Sequence, residues 1–317
     1  MPTLSGLPKT KSPRNHYDIY TIFEAPQELY FGDEKQVNVN IVEKVRIQSP
    51  EGEKEKCYIS PTKRRGVERR CLLWSDADGQ LLMDKLVCGI PNTCCKESCP
   101  VCSVYGGLIT GERTFIGRIT HSGGVAILPQ ITIEKQRAMH PAIMGNFREE
   151  VSKELLGTIN KEQNRKKDAN KYKKASDLTE PMPYRKEYAQ PGLLYPVSNH
   201  CLSISSDEFA TVAYAFLMSL NRLGAGNPKG VSFARAAWDG QEDEPLLVVD
   251  EYRVPLGERP IVSPSVSDNA TAIGTFIKLA KSVSSNSADK FSRSTGNEAL
   301  KKLQDAAKVF EQKHLQA

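Results

Sequence analysis

An opening run of strand-forming residues, a long capped helix late in the chain and short strands on either side of that helix predict an α+β fold. Its smallest common form is an RRM/ferredoxin-like sheet with helices on one face. The opening run HYDIYTIFEAPQELYF, from His16, is rich in aromatic and branched residues. VNVNIVEKVRI, Val37 to Ile47, alternates apolar and polar for most of its length. Downstream, Ser205 and Glu208 match a capping box, and Phe209, Val212, Ala213, Phe216, Leu217 and Leu220 fall on one helical face before Gly224 stops the helix.

The elements between these anchors follow in order. Residues 52–87 are charged and turn-rich, but CLLW and QLLMDKLV punctuate them, so the segment reads as an excursion packed partly on the body. With the cysteines that follow, it makes a basic, metal-binding insertion over 52–112. In TFIGRITHSGGVAILPQITIEKQ, two strands joined at Ser122, Gly123 and Gly124 make a candidate hairpin, 113–140. Phe147, Val151, Leu155 and Ile159 recur every fourth residue, as on a helix with one apolar stripe. Residues 161–190, opening KEQNRKKDANKYKK, are lysine-rich and short of large aliphatics, a charged mobile insertion or exposed helix extension. LGAGNPKG is a glycine-rich turn carrying Lys229, and Leu246 to Asp250 is a short strand. Over 265–317 the pattern is helical, with Leu300, Leu303, Ala307 and Phe310 forming a stripe. The whole, 1–317, reads as a single elaborated domain.

Composition excludes some classes. With 39% hydrophobic and 26% charged residues the chain reads as globular, and no run approaches the roughly 18 apolar residues of a membrane span. Met1 to Arg14 is rich in Pro, Ser and Lys and lacks the apolar core of a secretory signal, so the expectation is a cytoplasmic protein with no membrane partner. The net charge of +5 is too small to mark a nucleic-acid binder by itself, but Lys63, Arg64, Arg65, Arg69 and Arg70 crowd one segment, KRRGVERR. Read as basic groups around a short turn, anchored by Cys57 and Tyr58 before it and Trp74 after it, that segment points to phosphate contact.

Cysteine chemistry concentrates in CCKESCPVCSVYGG. Cys88, Cys94, Cys95, Cys99 and Cys102 lie within fifteen residues. A reducing compartment disfavours disulfides, and Cys99-Pro-Val-Cys102 is a turn that can aim two sulfurs at one ion. Cys95 to Cys99 is another permitted gap, and Cys88 with either Cys94 or Cys95 completes four thiolates; adjacent residues rarely ligate one ion together, and Cys95 is slightly preferred. Four thiolates leave no open position, so structural zinc fits and metal catalysis does not. The five histidines, His16, His121, His140, His200 and His314, fall in no nucleophile or zincin motif, and LGAGNPKG lacks P-loop spacing, though its backbone amides and Lys229 can meet a phosphate.

In order along the chain, KRRGVERR, CPVCSVYGG, and QPGLLYPVS followed by a helix ending in SLNRLGAGNPKG resemble the RAMP-superfamily RNA-binding proteins, and more narrowly the Cascade backbone subunit of class 1 CRISPR effector complexes, type I-D-like or type IV-like. The resemblance spans roughly residues 60 to 235. It implies an RRM-like palm, a zinc-binding finger insertion and a β-hairpin thumb. It also implies a non-enzymatic subunit whose copies stack in a helical filament along crRNA, holding its phosphates beside a target DNA or RNA strand and other CRISPR effector subunits. Lys63, Arg64, Arg65, Arg69 and Arg70 correspond to the family's basic stretch, and Arg222, Gly224, Gly226 and Lys229 to its glycine-rich loop. Arg118, Lys135 and Arg137 join the RNA-binding set from the predicted hairpin. Leu223 between Arg222 and Gly224 displaces the family's arginine, and the N-terminal region carries no matching motif. Two alternatives stay open: a backbone ribonuclease using a loop carboxylate such as Asp33, Asp76 or Asp78, and a zinc-finger interaction module without RNA affinity.

Overall fold

The computed structural model describes residues 13–36, 39–49, 52–72, 88, 93–96, 98–129, 132–138, 183–225, 230–238, 242–283 and 291–315. It is a mixed α/β structure in two compact units, one of residues 1–32, 42–132 and 189–317, the other of 33–41 and 133–188.

In the larger unit, chain order gives β1 (Asn15–Glu24), β4 (Lys44–Ser49), β5 (Gly52–Ile59), α1 (Pro61–Cys71), α2 (Pro100–Tyr105), β6 (Gly107–Ile109), β7 (Arg113–Phe115), β8 (Ile119–His121) and β9 (Gly124–Val125). Then come β12 (Leu194–Ile204), α3 (Ser206–Leu220), β13 (Ser232–Phe233), β14 (Arg235–Ala237), β15 (Asp243–Pro245), β16 (Leu247–Tyr252), α4 (Asn269–Lys281), β17 (Phe291–Thr295) and α5 (Gly296–His314). The smaller unit holds β2 (Gly32–Gln36), β3 (Val39–Val42), β10 (Thr132–Ala138) and β11 (Pro183–Ala189) in a sheet ordered β10-β11-β3-β2, with β11 and β3 parallel.

The main sheet runs β17-β16-β1-β12-β8, every neighbouring pair antiparallel, with β13 also on β1. β1 is its centre, and the period of two decides what each residue does. Tyr17, Ile19 and Phe23 face α3, where Tyr17 stacks on Phe209 at 4.1 Å and Phe23 lies 5.9 Å from Phe216. α3 in turn packs on α5 through Tyr214 and Phe310, 4.6 Å apart. Tyr20 and Ile22 point the other way, into a second cluster closed by Ala272 and Phe276 of α4. β1 is therefore buried on both faces along most of its length. The capping box at Ser205 forms as predicted, with Glu208 N–H donating to Ser205 Oγ at 3.2 Å.

Four expectations change. KRRGVERR is not a turn: Pro61 starts α1 at its first position, and Arg64, Val67, Glu68 and Cys71 form its buried stripe. The candidate hairpin at Ser122–Gly124 does not close, because β8 pairs with β12 (Ile119↔Cys201) while β9 pairs with β5 (Tyr58↔Val125). A Cβ on Gly124 would sit 2.8 Å from Val197 Cγ1, so the glycine lets the chain cross against β12 instead of turning back. The alternating run from Val37 divides between β3 and β4, and the end of the lysine-rich segment, Pro183–Ala189, is strand. The helix expected around Phe147–Ile159 and residues 161–182 lie outside the described residues. No described helix is long and apolar enough to cross a membrane.

One buried cation ties the loop after β16 to this framework. Lys56 on β5 is fully buried, and its Nζ donates to the carbonyls of Ile127, Pro264 and Val266 at 2.7, 2.8 and 2.6 Å. Replacing it by Met leaves three carbonyls unpaired, so Lys56→Met is expected to cost about 2–4 kcal/mol, read as a lower urea midpoint. An unchanged midpoint would show that the loop finds other donors.

Candidate metal centre and basic surface

Cys88, Cys94, Cys99 and Cys102 bring their sulfurs within 4.8 Å of one another, three of them buried and Cys94 half-buried. Cys99 caps α2 and Pro100 opens its first turn, so Cys99 and Cys102 project from one end of the helix. The Cys88–Cys102 and Cys94–Cys102 separations, 3.6 and 3.8 Å, match the edge of about 3.8 Å that a tetrahedron of thiolates around an ion at ~2.3 Å requires. Hydrogen bonding with Cys99 holds the Cys88 thiol down to about 5, whereas burial pushes Cys102 up to about 12. The cradle is shaped for sulfur, since a Cβ on Gly107 would lie 3.0 and 3.1 Å from the sulfurs of Cys95 and Cys102. The slight preference for Cys95 is corrected. Its backbone turns left-handed at φ 44°, its sulfur lies 3.4 Å from Thr93 Oγ1, and Cys94 takes the fourth corner.

The basic residues separate by helix face. Arg64, expected to meet RNA, is fully buried. Its Nη1 donates to the carbonyls of Ser122 and Ser198 at 2.8 and 3.1 Å, and its Nη2 to Asn199 Oδ1 at 2.7 Å. Beside it Glu68 accepts from Tyr105 Oη, from His121 Nε2 at 2.7 Å and from Asn199 Nδ2. Burial pushes the Glu68 carboxyl up, but the charge and hydrogen bond of His121, with Arg64 and Asn199 behind them, outweigh it and hold the group below the ordinary glutamate value. Lys63 is ion-paired to Glu43. Arg69 is half-buried, whereas Arg65 and Arg70 face outward, Arg65 donating to the Tyr105 carbonyl.

Arg118, exposed just before β8, donates to the Ser203 carbonyl at 3.2 Å, and a Cβ on its neighbour Gly117 would lie 3.3 Å from Arg65 Nη2. Arg222 is exposed past the end of α3, and Gly224 has φ 103°. Lys135 and Arg137 belong to β10 in the smaller unit. Gly226, Lys229, Asp76 and Asp78 lie outside the described residues, and Asp33 belongs to β2.

Sequence reasoning treated the histidines singly and missed a polar cluster on the sheet. His200 Nδ1 meets Asp18 Oδ1 at 3.0 Å, while Tyr20 and Tyr252 hydroxyls donate to Asp18 Oδ2 at 2.8 and 3.0 Å. Burial pushes Asp18 up, but these hydrogen bonds prevail and hold it below the usual carboxylate value. The available signal was the alternation of His16, Asp18 and Tyr20 with Tyr17 and Ile19, which sets three polar side chains on one face of a strand.

Comparison with protein-family models and with curated proteins finds no match. Among solved structures the chain is similar to the crystal structure of Csc2 from Thermofilum pendens, with a TM-score of 0.38 and 12% identity over 99% of this chain and 81% of that one. It is also similar to a chain of a Type IV-B CRISPR complex, with a TM-score of 0.41 and 13% identity over 79% of this chain and 96% of that one.

Metal analysis of purified protein should find about one equivalent per chain in the wild type and in Cys95→Ser, and its loss in Cys94→Ser and Cys99→Ser. Retention by Cys94→Ser would return the fourth corner to Cys95. Acid titration reads the buried network. Because the Glu68 carboxyl is held low in the fold, its contribution is full above the free-glutamate value and disappears as pH falls through the lowered one. Glu68→Gln should therefore be less stable at neutral pH and lose less stability on acidification than the wild type.

Proposed function

We propose that the chain is a non-enzymatic backbone subunit of a class 1 CRISPR effector complex, type I-D-like or type IV-like, that assembles along crRNA and holds its phosphates. The observation that carries this reading is a pair of outward cations on α1. Arg65 and Arg70 are exposed on α1, and among the described residues neither forms an ion pair. Buried or paired cations stabilise folds; exposed ones without an acidic partner attract phosphate.

The topology supports an RRM-like palm. The order β16-β1-β12-β8, all antiparallel, with α1 carrying the chain from β1 toward β8 and α3 from β12 to β16, is the order expected of a ferredoxin-like sheet. In this reading the ion held by Cys88, Cys94, Cys99 and Cys102 is structural zinc, which thiolates prefer, and it anchors a finger made of α2 and the β6–β7 hairpin. In this reading β10, which carries Lys135 and Arg137 and pairs with β11, takes the part of the thumb expected at Ser122–Gly124. Contacts to phosphate leave bases free to pair with a target strand, so one protein surface serves any guide. Copies of the chain along the guide and other effector subunits complete the complex.

Each phosphate contact to single-stranded RNA adds about 0.7 to the slope of log affinity against log salt. The double variant Arg65→Ala, Arg70→Ala should bind a labelled single-stranded RNA more weakly and lose about 1.4 from that slope, measured by fluorescence anisotropy. Salt-independent or absent RNA binding by the wild type, with no RNA recovered when guide is co-expressed, would favour the interaction-module alternative.

A further inference from the structure

The face of the main sheet turned away from α3 is only half covered by α4. The other half floors a cavity of about 480 Å³ whose walls include His16, Arg118, His200, Tyr252, Arg259 and Phe291. Its electrostatics are lopsided. Both carboxylates in its lining are consumed internally, Asp18 by three donors and Asp250 by Arg293, whose Nε and Nη2 donate at 2.6 Å each. The two exposed arginines rest on neutral partners instead. Arg259 donates from Nε to Tyr20 Oη at 3.2 Å and meets His200 Nε2 at 2.7 Å, and Arg118 donates to the Ser203 carbonyl at 3.2 Å. Among the described residues neither forms an ion pair, so positive charge is left facing the cavity.

The histidines add direction. His200 presents Nδ1 to the Asp18 carboxylate, so its hydrogen sits there and Nε2 is the acceptor that receives Arg259. His16 Nδ1 accepts the Ser203 amide at 3.2 Å, which leaves the hydrogen on Nε2 as a donor. Along one wall His16, Tyr252 and Phe291 form a line of rings with centroids 5.4 and 6.2 Å apart. A cavity with two unpaired guanidinium groups and an imidazole donor, walled by aromatic rings, suits a ligand with an anionic end and a flat ring.

We propose that this cavity binds one ribonucleotide, its phosphate held by Arg118 and Arg259 and its base set against the rings of His16 and Tyr252. Arg259 is the movable part: it is exposed and held by two neutral contacts, which a phosphate oxygen can replace with stronger charge-assisted ones. The nucleotide can be free or one unit of an RNA strand, in which case that one base is withheld from pairing while the others stay free. The second source rests on the guide-binding reading and the first does not.

Isothermal titration of the full chain with 5′-AMP, adenosine, inorganic phosphate and hexauridylate tests this. AMP is expected to bind at least about tenfold more tightly than adenosine or phosphate alone, and Arg259→Ala and Arg118→Ala each to weaken it about tenfold, the order expected for a lost charge-assisted contact. Arg65→Ala, Arg70→Ala should leave AMP binding unchanged while weakening longer RNA, which separates this cavity from the α1 surface. Hexauridylate binding at least about tenfold tighter than AMP, with the same dependence on Arg259, assigns the ligand to RNA; AMP equal or tighter assigns it to free nucleotide. The proposal is overturned if AMP and hexauridylate bind no better than adenosine, or if both single variants bind them like the wild type. Both arginines are exposed, and unchanged melting of the variants excludes misfolding as the cause of a loss.

Discussion

The larger unit depends on the buried pair at the root of α1. Arg64 and Glu68 sit one helical turn apart, 4.0 Å between Nη2 and Oε1, with 1% and 2% of their side chains exposed. Removing two charges from water costs more than their mutual attraction returns unless the remaining hydrogen-bonding capacity is used. Here it nearly is. Arg64 reaches two carbonyls and Asn199, while Glu68 takes Tyr105, His121 and Asn199. The partners come from α1, α2, β8 and β12, so the network sets the position of one helix against two strands and a second helix at once. Its yield is placement rather than net stability. An apolar substitute could pack there, but it would not specify which residue of α1 meets which residue of β12.

The four-cysteine cluster gains its leverage from the same network. α2 is held at its start by Cys99 and Cys102 and at its end by Tyr105, whose hydroxyl donates to Glu68 and whose carbonyl accepts from Arg65. A six-residue helix has little stability of its own. Tethered at both ends, it becomes a strut between the four sulfurs and α1, and it fixes the direction in which Arg65 leaves the helix. The cysteines thus bear on where Arg65 points without touching it.

What the sequence disclosed follows the range of the interactions involved. The capped helix at Ser205 and the strand from His16 are written locally, in a capping box and a run of branched and aromatic residues, and both form. The sulfur cluster was legible because its ligands lie close in sequence, but the choice of Cys94 over Cys95 was not, since it rests on one residue's left-handed backbone. Arg64 was read as a surface cation because charge conceals helical periodicity: Val67 and Cys71 already mark the buried stripe that Arg64 and Glu68 complete. The failed hairpin has a different cause. Ser122, Gly123 and Gly124 permit a tight turn, yet strand partners are chosen by distant segments, and β12 and β5 offered better ones. Asp18 and His200 escaped notice for the same reason, because only the register of β1 against β12 makes them opposite.

That register also explains how the part of the sheet's second face that α4 leaves uncovered can stay polar. A strand whose second face is only partly covered must solvate or pair every polar group that the cover leaves out. β1 does so by giving Asp18 three donors, and β16 by giving Asp250 a two-pronged arginine. Satisfying the acids from within leaves the basic groups at the rim as the available charge, which is how a chain of net charge only +5 can present locally positive surfaces. Composition averages the two signs; on this sheet face the fold separates them, satisfying Asp18 and Asp250 from within and leaving Arg118 and Arg259 at the rim.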